Sequence, residues 1–138
     1  MAPNALYCIE RDKLIGTYAL VGYQVKPPTG EVWDWTPISR GYLFYSVEGL
    51  MSGALNFDVE KAPVGIKPPD RAFLFYSGPY EITEKDLVHK VEIASDLSWV
   101  GRRLSRLPSW DEKGHLVLQG KGAFGLGILT WKKIKSAT

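Results

Sequence analysis

Cysteine is all but missing from this chain. Cys8 is the single one among 138 residues, so no intramolecular disulfide can staple the fold. Two histidines, His89 and His115, complete a donor supply too poor for a zinc centre, and no metal site is expected. No apolar run reaches the roughly 18 residues of a membrane span, so no membrane partner is expected either. The opening Met1-Ala2-Pro3-Asn4 lacks the basic and apolar regions of a secretory signal, which makes the cytoplasm the expected location. An excess of charge of one sign is lacking too. Seventeen basic minus 15 acidic residues leaves +2, too little to suggest nucleic acid as a partner without a basic face. Phosphate-cradling glycine loops that open a helix, nucleophile elbows and Ser-His-Asp orders are all absent. No cofactor is expected.

What the chain does have is turn residues and aromatics: Gly 14, Pro 9, Trp 5, Tyr 7 and Phe 5, the composition of a turn-rich β protein. β-prone segments are predicted at 16–26, 31–35, 40–46, 51–57, 75–83, 87–94, 101–109, 116–119 and 127–134. The longest irregular connection falls at 59–70, where Pro63, Gly65, Pro68 and Pro69 cluster. Helix is scarce. A short N-terminal helical turn is expected at 8–15, and a second turn is possible at 72–75. No repeat or linker divides the chain, so residues 1–138 read as one domain. A small sheet of so many strands protects its edges best by closing on itself. The expected fold is all-β: a single closed or nearly closed antiparallel β-barrel with a short N-terminal helix.

Alternation of side chains across a strand assigns the interior. In 87–94, Lys90 and Glu92 mark the polar face, which sends His89, Val91 and Ile93 inward. In 75–83 the row Tyr76, Gly78, Tyr80 and Ile82 opposes Ser77 and Glu81. Segment 101–109 admits two phases, one grouping Arg102, Leu104 and Arg106, the other Arg103, Ser105 and Leu107. Either phase brings an arginine to the cavity. An unpaired charge there is costly, so aromatic walls with a few polar groups are expected, as in small-molecule sites.

Several motifs also resemble a known family. Leu14-Ile15-Gly16-Thr17-Tyr18-Ala19-Leu20 is similar to the opening Leu-x-Gly-Thr-Trp-x-Leu strand of the bacterial and fungal lipocalin-like domain family. Arg40-Gly41-Tyr42-Leu43-Phe44-Tyr45, with Met51-Ser52 after the turn, resembles its Gly-x-Leu-x-Tyr strand and Met-Ser pair. Tyr76-Ser77-Gly78-Pro79-Tyr80, His89-Lys90-Val91-Glu92, Trp99-Val100-Gly101 and Leu129-Thr130-Trp131 match further elements in order, and Arg106 falls where the family places an arginine. Two positions depart from the pattern. Tyr18 replaces the tryptophan of the first strand, and Lys133 replaces the arginine after the closing tryptophan; in lipocalin-type barrels that pair closes one end. The resemblance implies a small-molecule barrel. By fold-level analogy, it extends to cofactor-free cyclases and isomerases of secondary metabolism.

His89 is the general acid–base candidate, because its ordinary pKa lies near neutrality; the alternative is a core histidine bonded to Tyr76 or Tyr80. His115, beside Gly114, is expected at the surface. Tyr76 and Tyr80 offer phenols to a carbonyl or enolate, or else pack in the core. Arg106 offers a planar fork for a carboxylate or dicarbonyl, or else pairs with Glu81 or Glu92. Arg40, Tyr45, Asn56, Trp99 and Trp131 complete the candidate ligand contacts, with Trp99 and Trp131 equally readable as core or rim. Trp33-Asp34-Trp35 reads as an aromatic lip or as an edge strand, and an exposed aromatic strand there would suit a homodimer. The functional expectation is a cofactor-free isomerase or cyclase acting on a hydrophobic, oxygenated small molecule. A non-catalytic carrier, or a barrel filled by its own side chains that serves as an interaction protein, is the alternative.

Overall fold

The computed structural model describes residues 9–34, 39–57, 73–122 and 125–134. A short helix, α1 (Arg11–Leu14), precedes ten strands: β1 (Gly16–Lys26), β2 (Trp33–Asp34), β3 (Ser39–Tyr45), β4 (Leu50–Phe57), β5 (Phe73–Ile82), β6 (Leu87–Lys90), β7 (Ile93–Ala94), β8 (Arg103–Trp110), β9 (Leu116–Gly122) and β10 (Gly125–Lys133). Every pairing is antiparallel. The ladder runs β1-β3-β4-β5-β6-β8-β9-β10, and β10 pairs back with β1, which closes an eight-stranded barrel. β2 and β7 are short additions on β1 and β5.

Closure depends on the length of β1. Its first half pairs with β3 from Gly16↔Tyr45 to Ala19↔Tyr42, while nearly its whole length pairs with β10 from Tyr18↔Lys133 to Lys26↔Leu126. The register slips between Leu20 and Gly22. Such a bulge bends and twists the strand as a closed sheet requires.

One end of the barrel is filled. Leu14, Tyr18, Tyr45, Met51, Leu87 and Leu116 are all essentially without solvent exposure there, and each apolar side chain so buried contributes about 1.5–3 kcal/mol. α1 is tied to this end by three contacts. The Tyr18 hydroxyl donates to the Leu14 carbonyl (2.6 Å), the Lys133 ammonium donates to the Lys13 carbonyl (2.6 Å), and Arg11 donates to the Val47 carbonyl. The Lys133 ammonium also lies 5.4 Å from the centre of the Tyr18 ring. Tyr18 and Lys133 therefore meet as a cation–π pair.

The expected strand at 87–94 is two strands, β6 and β7. Between Tyr80↔His89 and Ser77↔Ile93, three steps along β5 face four along the opposite chain. The extra residue flips the alternation, so Ile93, expected inside, is 56 % exposed. The bulge closes over Gly78, where a Cβ atom would stand 1.8 Å from the Lys90 carbonyl oxygen. The possible helical turn at 72–75 is corrected as well, because β5 begins at Phe73; Ala72 itself lies outside the described residues. The helical turn at 8–15 is reduced to Arg11–Leu14. Cys8, Trp35 and the irregular stretch 59–70 lie outside the described residues. Trp33, in β2, packs against the hydrophobic core and Asp34 beside it is exposed. His115 lies in the β8–β9 turn, half-buried, with Nδ1 3.7 Å from the Asp111 carboxylate.

Candidate functional site

Away from the α1 end, the interior opens into a cavity of about 520 Å³. Its apolar wall comes from inward positions on six strands, among them Leu43, Leu55, Leu74, Leu104, Leu118 and Leu129. Gly53, Gly120 and Gly127 supply room where a side chain would fill the space. Tyr76, His89, Trp99, Arg106 and Trp131 supply the polar and aromatic groups.

The phase of β8 is now fixed. Leu104 is buried, while Arg103, Ser105 and Leu107 are exposed, so Arg102, Leu104 and Arg106 are the cavity-facing set. Arg106 does not pair with Glu81 or Glu92 among the described residues. Glu81 is held outside by Lys90 (3.1 Å) and Arg103 (3.5 Å). The Arg106 guanidinium instead donates to the Ser105 carbonyl (3.0 Å) and extends across Gly120, where a Cβ atom would lie 2.5 Å from Nη1.

His89 is 1 % exposed and bridges two phenols. Tyr45 lies 2.6 Å from Nε2, and Tyr76 lies 2.8 Å from Nδ1. Tyr76 is the partner anticipated from sequence, whereas Tyr45 takes the place expected for Tyr80. The Tyr80 hydroxyl donates to the Ser46 carbonyl (2.8 Å) at the filled end, away from the cavity wall. Burial first, and then the positive charge of Arg106, push the His89 pKa down to about 3. The imidazole is therefore neutral at physiological pH and does not gain a proton there. Burial raises the Tyr76 phenol, opposed by the charge of Arg106 and a hydrogen bond from it. Tyr45 stands well above the ordinary phenol range through burial and then the nearby Tyr76 and Tyr18 phenols.

The remaining candidates divide between the wall and the outside. Trp99, in the 3-10 turn Leu97–Trp99, lines the cavity with its ring centre 5.7 Å from that of Tyr76, and Arg102 lies 5.5 Å over its indole. Trp131 is 3 % exposed and also lines the cavity, and its buried Nε1 has no hydrogen-bond partner among the described residues. Arg40 and Asn56, directly opposite one another on β3 and β4, are both exposed and lie outside the cavity lining. They share parity with the exposed Tyr42 and Phe44 and with Ala54, so strand alternation sends them to the outer face. This corrects their expected inward placement.

Tyr23, Lys121 and Gly120 also reach the cavity, and the sequence reading did not single them out. Lys121 and Gly120 lie where a connection was expected after 116–119, but β9 continues to Gly122. The alternation of Leu116, Leu118 and Gly120 is the signal that would have found Gly120; Lys121 has the opposite parity and is exposed, so no such signal marks it. Among the described residues, no group of three or more His, Cys, Asp or Glu side chains could hold a metal ion, and no helix is long and apolar enough to cross a membrane. No protein-family model matches the chain, and no curated protein matches it significantly.

Proposed function

We propose that this barrel is of the lipocalin-like kind, binds a hydrophobic, oxygenated small molecule inside its cavity, and isomerises or cyclises it without a cofactor. The observation that carries the reading is the polar cluster of Tyr76, His89 and Arg106 set into the wall of an otherwise apolar 520 Å³ space. That volume suits a small-molecule ligand, and it favours a ligand-holding barrel over one filled by its own side chains. A buried network of this kind is costly unless every group is satisfied. Preorganised donors beside a bound molecule are the usual means of stabilising charge that develops during reaction. An enclosed apolar wall would hold the ligand in one reactive conformer, an effect worth several kcal/mol of barrier, order of magnitude.

The carrier reading uses the same cavity, and one experiment separates the two. The purified protein is exposed to an extract of its producing organism, and retained molecules are identified by native mass spectrometry. A retained compound whose structure changes on incubation, with the change abolished in Tyr76→Phe, supports the enzyme. A compound released unaltered points to the carrier. An empty barrel after a broad extract overturns both.

A further inference from the structure

Resting on the reading that the cavity holds a small molecule, we propose that its ligand carries an anionic oxygen, a carboxylate or an enolate, seated between the Arg106 guanidinium and the Tyr76 hydroxyl.

The charge of the wall is one-sided. Arg102, Arg106 and Lys121 line the cavity, and no described lining residue is acidic. Nearby carboxylates are engaged elsewhere: Glu81 by Lys90 and Arg103 outside the barrel, and Asp86 by Thr83 and Ser105. A guanidinium carries five N–H donors. Arg106 has the Ser105 carbonyl and its contact with Tyr76 as partners, which leaves donors facing the cavity. A half-buried cation with no counter-charge among the described residues is unfavourable. An anionic ligand would remove that penalty through a charge-assisted, bidentate contact.

The hydrogen-bond chain fixes which way Tyr76 points its proton. His89 is neutral, so one ring nitrogen donates and the other accepts. Among the described residues, Tyr45 is buried with His89 as its hydrogen-bonding partner. If its hydroxyl accepted from Nε2, its own proton would be orphaned in a dry core. Tyr45 therefore donates to Nε2, His89 donates from Nδ1 to the Tyr76 oxygen, and Tyr76 has its O–H left to donate. Tyr76 lines the cavity, so that O–H serves the ligand. Arg106 and Tyr76 are thus both left with N–H or O–H groups to donate at the cavity wall, as an anionic oxygen needs.

The test uses the intact protein and matched pairs of probes: dodecanoate against dodecanol, and 2-naphthoate against 2-naphthalenemethanol. Affinities are read by isothermal titration calorimetry at pH 8 in wild type and in Arg106→Met. The proposal expects the carboxylate of each binding pair to bind about tenfold tighter or more, with the preference lost in Arg106→Met while the alcohols bind as before. The wild-type comparison stands by itself if the variant fails to fold. Equal affinity within the pairs, or tighter binding of the alcohols, overturns the anion preference and leaves the cavity reading intact. No binding by any probe counts against the cavity reading and this proposal with it.

Discussion

Arg106 crosses the barrel wall directly over Gly120, so closely that a methyl group at 120 would lie 2.5 Å from Nη1 and 2.8 Å from Cδ. The glycine on β9 holds the space through which the β8 arginine reaches the cavity. Gly120→Ala should therefore displace Arg106 while altering global stability by no more than about 1–3 kcal/mol, the cost of modest overpacking. The carboxylate-over-alcohol preference should fall at least several-fold. An unchanged preference in this variant, measured by the same calorimetric titration, would show that the arginine does not need this opening.

The donor direction through His89 can be read without any ligand. Nitrogen-15 NMR of the imidazole should show a neutral ring protonated on Nδ1, with Nε2 as the acceptor. In Tyr45→Phe that preference should weaken, since Nε2 loses its donor. A ring protonated on Nε2 in wild type would reverse the chain and remove the free Tyr76 proton.

Stability should fall with acid through His89. Its folded pKa of about 3 lies below its ordinary 6.5, so the unfolded chain binds the proton more readily. The contribution is complete above pH 6.5, and it is lost progressively as the pH drops toward 3. By pH 4.5 this one group should cost about 2–3 kcal/mol relative to neutrality. Urea unfolding of wild type and His89→Gln at both pH values checks it, and the variant should show the smaller acid loss by about that amount. Parallel losses in the two proteins would contradict a neutral, buried His89.

Gly78 marks the most crowded backbone crossing. Because a Cβ there would stand 1.8 Å from the Lys90 carbonyl and 3.0 Å from the Glu92 nitrogen, Gly78→Ala should cost at least about 2 kcal/mol. It should also open the bulge that joins β6 to β7. Chemical denaturation measures the first effect. Hydrogen exchange at the Glu92 amide, which donates to the Ser77 carbonyl (2.9 Å), measures the second.

The barrel was legible wherever alternation was clean. β1 matches the expected 16–26, and the inward placing of Tyr76 and His89 followed from polar neighbours on the opposite face. Alternation failed at Ile93 because a bulge inserts one residue, and a bulge leaves no mark in residue pattern beyond the glycine opposite it. The partner of Nε2 could not be read either. Tyr45 and His89 are 44 residues apart, and which strands are neighbours across the barrel is set by closure rather than by local sequence. Arg40 and Asn56 were misplaced for a different reason. Arg40 precedes Gly41, which gives no inward signal, while Leu43 and Tyr45 two and four residues further on set the phase.

The seam between β1 and β10 has a consequence for how the chain acquires its fold. Its partners stand at opposite ends of the sequence, as with Tyr18 and Lys133. During synthesis β1 can pair with β3 early, yet its other edge has no partner until the last strand emerges. Until then the nascent sheet presents an open edge on the strand that later carries the closure. Non-local pairing of this kind is slow and leaves intermediates exposed to association. Truncation within β10 would therefore remove more than one strand's worth of order, because it would leave the first strand with an unpaired edge.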